Sequence, residues 1–232
     1  MKKAFYVIAD TNNKLHFDKL RVSLRKFDKD TDLILFSDKE VQQANDPHIF
    51  YRATPYFAKQ LFDNGYDELC HLDADQIITG NIDHIWDGDY DVATVLNDPT
   101  IQIGVWDIVP PRYYNNGLNV FKNKDFIEHW LRLCKSPHFD RYQYKEQDLL
   151  NILVSDYLNY KVKCLDLENK IHGEFAKPLW PKGELKDGKI MIDDKQLCVI
   201  HFGGGSGSPD KGKYQTRFKD EVVEFIDTLI KE

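Results

Sequence analysis

The sequence has 232 residues, of which 42% are hydrophobic and 30% are charged, and its formal net charge at pH 7 is −7. This composition is that of a globular protein and excludes an intrinsically disordered chain, and the length allows one large domain or two small ones. The negative charge disfavours nucleic acid as the main partner. No apolar run reaches the ~20 residues that a membrane-spanning helix needs.

The amino-terminal segment MKKAFYVIAD is predicted to form a buried first strand. It lacks the small-residue cleavage site of a signal peptide, and an aspartate follows its short apolar run. The four cysteines lie far apart and form no C-x-x-C pair, so buried thiols in a reducing compartment are favoured over disulfides or a metal site. These features predict a cytoplasmic location.

Strand-like and helix-like segments alternate along the chain, most clearly in its first half. Apolar, β-rich runs predict strands at residues 4–9, 32–37, 67–73, 90–96, 117–121, 160–166 and 196–202. Helical spacing of apolar residues predicts helices at 15–27, 55–65, 124–134, 146–158 and 219–232. The alternation predicts an α/β fold with a mixed, mainly parallel central sheet flanked by helices. Segments 97–115 and 168–188 have no regular pattern and are predicted to be loops that either face a ligand or cover a sheet edge.

Two aspartates, Asp73 and Asp75, follow the apolar run of the third predicted strand. In an extended chain, residues two apart point to the same side, so the two carboxylates would lie together at the carboxyl end of a strand, where α/β sheets bind ligands. Two such charges repel unless one is protonated or a cation lies between them. The residues alone leave three interpretations open: an acid/base pair, a divalent metal site or a solvated turn.

The last predicted strand ends in His201 and continues into a glycine-rich segment with two lysines, at residues 203–213. Glycines let the backbone approach an anion closely, and lysines add positive charge. The segment lacks the spacing of a Walker A motif, and by itself it is typical of a flexible turn. Combined with Asp73 and Asp75, it would supply the parts of a site for a metal-bound diphosphate.

Amide and carboxylate side chains are concentrated in YYNNGLNVFK (113–122) and EQDLLN (146–151). Asn and Gln offer paired donors and acceptors, which suits the recognition of sugar hydroxyls. Neither string is specific alone, because residues 115–117 could form a tight turn and residues 146–148 could begin a helix whose dipole favours acidic side chains.

Taken in order, five segments resemble those of glycosyltransferase family 8, which includes glycogenin and bacterial lipopolysaccharide galactosyltransferases and has the GT-A fold. The segments are IADTNN (8–13), YFAKQLFDNGYDELCHLDADQIITGNID (56–83), YYNNGLNVF (113–121), EQDLLN (146–151) and VIHF followed by glycines (199–205). The resemblance implies a single GT-A domain over residues 1–232, with a Rossmann-like nucleotide-binding half at 1–96 and a donor-sugar and acceptor half at 97–232.

The resemblance also implies an activity: transfer of a sugar, with retention of configuration, from a nucleotide sugar that is usually UDP-linked. The acceptor would be a glycan, a protein or a small molecule, and Mn²⁺ or Mg²⁺ would be the cofactor. The implied metal ligands are Asp73, Asp75 and His201. The implied nucleotide and diphosphate contacts are Ala9, Asp10, Thr11, Asn12, Lys59, Asp73, Ala74, Asp75, Gly204 and Lys211. The implied catalytic, donor-sugar contacts are Lys59, Asn115, Glu146 and Gln147.

The chain departs from the family pattern at three places. No lysine stands six residues after His201, so Lys211 and Lys213 are the candidates for the diphosphate. Asn13 occupies a position that is usually aromatic, and Glu146 replaces an aspartate with a longer side chain. Each of these changes bears on how the base, the diphosphate or the donor sugar is held.

Two other classes of protein share part of this pattern. A phosphatase of the haloacid dehalogenase type also places D-x-D after a strand, with the first aspartate, here Asp73, as the nucleophile. Ile77 stands where that motif prefers Thr or Val. A non-catalytic binder of nucleotide sugars or glycans is the second alternative.

Overall fold

The computed structural model describes residues 1–44, 46, 48–97, 112–155, 159–167, 170–203 and 214–231. The helices in these residues are α1 (Lys14–Phe27), α2 (Asp38–Gln43), α3 (Ala53–Asp63), α4 (Lys124–Cys134), α5 (Glu146–Val154) and α6 (Asp220–Leu229). The strands are β1 (Lys3–Ile8), β2 (Asp32–Phe36), β3 (Glu68–Asp73), β4 (Gln76–Ile78), β5 (Val92–Leu96), β6 (Tyr114–Phe121), β7 (Val162–Cys164), β8 (Lys170–His172), β9 (Glu184–Lys186), β10 (Lys189–Ile192) and β11 (Lys195–His201).

A six-stranded sheet with the order β2-β1-β3-β6-β5-β7 forms the centre of the fold. β1 is parallel to both β2 and β3, and β7 is parallel to β5, whereas β6 is antiparallel to β3 and β5. This arrangement confirms the predicted mixed, mainly parallel sheet. The sheet takes strands from both of the halves that the sequence analysis separates near residue 96.

The central strands are buried on both faces, which explains their continuous apolar runs. On one face, residues such as Phe5 and Val7 pack against Leu20 and Leu24 of α1. The other face is covered by α3, α4 and α5, with Trp130 of α4 fully buried there. The helices therefore hold the sheet from both sides and leave the ends of its strands to form a site.

A second, smaller sheet has the order β4-β11-β10-β9, with β8 paired to β11. Sequence analysis predicted only β11 in this sheet, and its prediction of a loop at 168–188 is wrong where the chain is described, since β8, a 3-10 segment (Glu174–Lys182) and β9 lie there. The strands that were not predicted, β4, β8, β9 and β10, have only three or four residues each, too few to show an alternation of apolar and polar side chains. Asp187 and Gly188, both with positive φ, form the β9–β10 turn, and Asp-Gly is a hairpin signal.

Most other predicted elements are confirmed with shifts of a few residues. β6 begins at Tyr114, three residues before the predicted strand, and α5 ends at Val154 rather than at 158. Residues 156–158 and most of the predicted loop 97–115 lie outside the described residues. The short helix α2 was not predicted, although Ser37 and Glu40 form the capping box that begins it.

The four cysteines are free thiols; Cys70, Cys134 and Cys198 are buried, as predicted, whereas Cys164 is partly exposed. Among the described residues, helices long and apolar enough to cross a bilayer do not occur.

Candidate active site

The Asp73-Ala74-Asp75 segment connects the two sheets. Asp73 is the last residue of β3, and Gln76 is the first residue of β4. The chain turns at Ala74 and Asp75, so the expectation of an extended D-x-D is wrong. The carboxylates come together because the chain changes sheet at this point, and Asp75 becomes buried, with 8% of its surface exposed.

His201 reaches this segment from the second sheet. It ends β11 and pairs with Gln76 of the antiparallel strand β4. Its Nε2 atom lies 3.2 Å from Asp73 Oδ2 and 3.4 Å from Asp75 Oδ1. His201 is 2% exposed, whereas the Asp73 side chain is 42% exposed. The cluster is therefore buried at His201 and accessible from solvent at Asp73.

Gly117 makes room for the His201 ring. Thr94 of β5 pairs with Asn119 of β6, but the next residue, Val95, pairs with Asn115, so residues 116–118 form a bulge in β6. The Gly117 N–H donates to Asn115 Oδ1 at 2.6 Å, and its carbonyl accepts from the Gln76 side chain at 2.9 Å. The bulge is thereby fixed next to the imidazole.

Asp73, Asp75 and His201 could together hold a divalent cation. One ligand atom from each residue lies within 4.8 Å of the others. Carboxylates suit Mg²⁺ and Mn²⁺, and one imidazole shifts the preference towards Mn²⁺. A cation would also relieve the repulsion between the two carboxylates. Three protein ligands and one open side fit a cation that also binds a substrate or water.

Glu146 and Gln147, at the start of α5, are joined to the β6 bulge through Asn116. The Asn116 N–H donates to Gln147 Oε1 at 2.9 Å, and its side-chain amide donates to Glu146 Oε1 at 2.9 Å. Thr54 of α3 also donates to Glu146 Oε1, at 2.9 Å. Two amide donors and one hydroxyl thus fix both side chains at the edge of the first sheet.

The Glu146 carboxyl group has an unusual environment. Its Oε2 atom is buried and has no hydrogen-bond partner among the described residues, although the whole residue keeps some exposure. Burial, together with the Asp73 charge, raises the pKa of Glu146 to about 8. At neutral pH much of this group is therefore protonated and able to donate a hydrogen bond.

Asp148 and Asn151 of α5 were not predicted as important, yet they fix the segment that leads into β6. The Tyr113 hydroxyl donates to Asp148 Oδ1 at 2.5 Å. Asn151 accepts from the Tyr114 N–H at 2.7 Å and donates to its carbonyl at 2.9 Å. Asn115 likewise serves the local structure, because its amide donates to Asn97 Oδ1 at 3.3 Å.

The predicted nucleotide segment, Ala9–Asn12, follows β1. The last residue of β1, Ile8, pairs with Asp73, so this segment lies at the same sheet edge as the cluster. Asp10 Oδ1 accepts from the Asn13 N–H at 2.9 Å and caps a 3-10 turn. The Thr11 N–H and hydroxyl both donate to Asp38 Oδ2. The Asn13 side-chain amide also donates to Asp10 Oδ1, at 2.6 Å, so the side chain at this position takes part in the cap.

Lys59 is placed elsewhere. Its ammonium group lies 2.6 Å from Asp63 Oδ2 and 3.8 Å from Glu128 Oε1, in ion pairs on the surface of α3 and α4. The structure therefore does not bring Lys59 together with the aspartates and His201. The predicted contacts Gly204 and Lys211, and the alternative Lys213, lie outside the described residues.

His71 is a site residue that sequence reasoning missed. It is buried, its Nδ1 atom lies 3.0 Å from the Asn116 carbonyl oxygen, and its Nε2 atom lies 3.7 Å from Asp73 Oδ1. The available signal was its position two residues before Asp73 on the same strand, which places both side chains on one face.

Comparisons with known proteins identify the family and the fold. The family model for Glycosyl transferase family 8 matches residues 1–207. The solved galactosyltransferase LgtC, in complex with donor and acceptor sugar analogs, is 17% identical with a TM-score of 0.64, covering 99% of this chain and 97% of that chain. No curated protein matches the chain.

Two further solved structures are similar. The glycosyltransferase GlyE of Streptococcus pneumoniae TIGR4 is 14% identical with a TM-score of 0.59, covering 99% of this chain and 62% of GlyE. The bifunctional glycosyltransferase WbbM is 16% identical with a TM-score of 0.58, covering 94% of this chain. The chain spans 52% of the WbbM chain, about half. At these identities the likeness establishes the fold, which is that of the GT-A glycosyltransferases.

Proposed function

Because the chain belongs to glycosyltransferase family 8, we propose that it transfers a hexose from a UDP-sugar to a glycan, protein or small-molecule acceptor, with Mn²⁺ or Mg²⁺ as cofactor and with retention of configuration. Glycosyltransferase activity follows from the family; the donor, the cation and the stereochemistry are the proposal. The observation that carries it is the convergence of Asp73, Asp75 and His201 on one point at the sheet edge.

In this proposal the three converging residues bind the cation. Asp75 and His201 are buried and held by β4 and β11, so they are pre-positioned as ligands. Asp73 is half exposed and leaves room for the diphosphate. When bound, the cation acts as a Lewis acid that stabilises negative charge on the diphosphate leaving group.

The nucleotide would bind along the carboxyl ends of β1 and β3. Ala9, Asp10, Thr11 and Asn12 are proposed to contact the base and ribose. The support is that Ile8 pairs with Asp73, which brings this segment to the proposed cation site. Ala74 would contact the diphosphate, and contacts by Gly204 and Lys211 remain predictions from the sequence.

The donor sugar would be held by Asn115, Glu146 and Gln147. The support for Glu146 is a buried Oε2 atom without a hydrogen-bond partner among the described residues and a pKa of about 8, raised first by burial. Such a carboxyl group can donate to or accept from a sugar hydroxyl. Lys59 would have to leave its ion pairs with Asp63 and Glu128 to take the same role.

Other functions are less well supported. Family membership does not favour a phosphatase with Asp73 as nucleophile. A non-catalytic binder would keep the same nucleotide and cation contacts, and release or transfer of a donor sugar distinguishes it from a transferase. A cytoplasmic location also remains a proposal, supported by four free thiols.

A screen of nucleotide sugars tests the function directly. Purified protein is incubated with UDP-, GDP- and ADP-hexoses with and without Mn²⁺, and release of the nucleotide is measured. UDP-galactose is the first donor to test, because the similar structure LgtC is a galactosyltransferase. Mn²⁺-dependent release from a UDP-sugar supports the proposal, and NMR of the product gives the anomeric configuration. Binding of UDP without any release or transfer would favour the non-catalytic alternative.

A further inference from the structure

His71 is a buried imidazole that the proposed function does not use. It lies on β3, two residues before Asp73, so both side chains point to the same face of the sheet. Its ring is 3% exposed and packs 5.1 Å from the ring of Tyr6 on the neighbouring strand. Burying a polar ring costs free energy unless its nitrogens find partners, so packing alone does not account for a histidine at this position.

The hydrogen bonds of His71 fix its tautomer. Its Nδ1 atom lies 3.0 Å from the carbonyl oxygen of Asn116, and a carbonyl oxygen can only accept a hydrogen bond, so Nδ1 carries the proton. In a neutral imidazole only one of the two ring nitrogens carries a hydrogen. The Nε2 atom is then left with a lone pair and no hydrogen.

That lone pair is directed at a carboxylate. His71 Nε2 lies 3.7 Å from Asp73 Oδ1, too far for a hydrogen bond, and both atoms are acceptors. The other carboxylate oxygen, Asp73 Oδ2, lies 3.2 Å from His201 Nε2. Asp73 therefore lies between two imidazoles. The facing lone pairs of His71 Nε2 and Asp73 Oδ1 repel each other unless a hydrogen donor or a cation lies between them.

We propose that His71 is a positioning residue whose Nε2 atom accepts a hydrogen bond from a water molecule bound to the cation held by Asp73, Asp75 and His201. The inference rests on the proposed cation site. A bound water fits better than direct ligation because the mutually close ligand atoms come from the other three residues. Mn²⁺ and Mg²⁺ commonly retain water ligands, and residues that orient such ligands contribute to metal affinity.

The same residue connects the cation site with Glu146. His71 donates to the Asn116 carbonyl, while the Asn116 N–H and side chain bind Gln147 and Glu146. Loss of His71 leaves the Asn116 carbonyl with one donor, because Asn119 Nδ2 also donates to it at 2.9 Å. A variant at position 71 should therefore fold, and its defect should appear in cation binding.

The test compares Mn²⁺ affinity in two variants. His71→Phe keeps an aromatic ring against Tyr6 and removes the acceptor, and His129→Phe removes a partly buried histidine of α4 that packs near Tyr160. Free Mn²⁺ is quantified by electron paramagnetic resonance. We expect His71→Phe to bind Mn²⁺ about 10-fold more weakly than wild type and His129→Phe to bind it normally. Equal affinity in His71→Phe and wild type would overturn the inference while leaving the cation site intact.

A second measurement uses the wild-type protein and does not depend on folding of a variant. The ring nitrogens are labelled with ¹⁵N, and Mg²⁺ is added as a diamagnetic probe. The Nε2 resonance of His71 should move as the site fills, whereas that of His129 should not. An unmoved His71 resonance in a protein that binds Mg²⁺ would overturn the inference. Absence of any Mn²⁺ or Mg²⁺ binding by wild type would instead refute the proposed cation site itself.

Discussion

A Cβ atom at position 117 would lie 2.2 Å from Cε1 of His201, so the imidazole can reach Asp73 and Asp75 only if residue 117 is glycine. Position 117 lies within β6, where glycine usually weakens a strand. The close approach of a ring to the backbone explains this glycine. Asn115-Asn116-Gly117, which by its sequence could form a tight turn, instead lies in β6 and makes room for a ligand of the candidate cation site.

The first prediction concerns Gly117→Ala. The added methyl group would displace His201, and we expect Mn²⁺ affinity to fall about 10-fold or more because a ligand is moved. The matched control is Gly188→Ala in the β9–β10 turn, where φ is +70° and nothing lies within 4 Å of an added Cβ. That variant should lose thermal stability from backbone strain and keep its Mn²⁺ affinity. If both variants bind Mn²⁺ like wild type, the proposed role of Gly117 is wrong.

The second prediction concerns the pH dependence of stability conferred by Glu146. Its pKa is about 8 in the folded protein against an ordinary value of 4.5, and burial is the main cause. The folded state therefore binds more protons than the unfolded state between these two values, and stability falls as pH rises through that window. The whole shift would correspond to at most about 5 kcal/mol, and we expect about 2 kcal/mol because the residue keeps some exposure.

Glu146→Gln removes this titration while preserving an oxygen that accepts from Thr54 and Asn116. Urea unfolding in the presence of EDTA should show the variant gaining about 2 kcal/mol relative to wild type between about pH 5 and about pH 9. Glu128→Gln, on the exposed surface of α4, should show no such gain. A constant difference between Glu146→Gln and wild type over this range would contradict the buried, protonated carboxyl group.

The third prediction concerns His84, whose titration makes stability rise with pH, the opposite of the effect of Glu146. Its Nε2 atom lies 2.7 Å from Nε2 of His172, and the Lys170 ammonium lies 2.8 Å from its Nδ1. Burial, followed by the charges of these neighbours, lowers the pKa of His84 to about 3 from an ordinary 6.5. The unfolded state binds more protons in this window, so stability is present above pH 6.5 and falls as the pH decreases.

His84→Asn should therefore become more stable relative to wild type on acidification. Because the ring is only partly buried, we expect a change of about 1 kcal/mol between about pH 7 and about pH 4.5, measured by urea unfolding. His138→Asn replaces an exposed histidine and serves as the control. A stability difference for His84→Asn that does not change with pH would show that the His84–His172 contact has no such effect.

Much of the fold could be predicted from the sequence, because long helices and strands show a clear periodicity of apolar residues. The strands of the first sheet and helices α1, α3, α4 and α6 were predicted within a few residues. The second sheet was largely missed, since β4, β8 and β9 have three residues each, which cannot show an alternation. The Asp-Gly pair at residues 187–188 is the one local sequence signal of the β9–β10 hairpin.

The candidate site was predicted in part, for reasons that particular residues make clear. Asp73, Asp75 and His201 stand at the ends of apolar runs, so their convergence could be expected, although the chain turns at residues 74–75 instead of remaining extended. The position of His71, two residues before Asp73, predicts only that both side chains share a face, because the orientation of its ring depends on a carbonyl group 45 residues away. The surface ion pairs of Lys59 likewise depend on Glu128, which the sequence does not place beside it.

The measurement that tests the central claim most directly is calorimetric titration of UDP into the protein with and without Mn²⁺. The variants are Asp75→Asn and, as control, Asp187→Asn, an exposed turn residue whose positive φ asparagine tolerates. We predict that Mn²⁺ strengthens UDP binding by wild type and Asp187→Asn about 10-fold or more and has little effect on Asp75→Asn. UDP binding that is independent of Mn²⁺ and equal in all three proteins would contradict a cation-dependent nucleotide site at Asp73, Asp75 and His201.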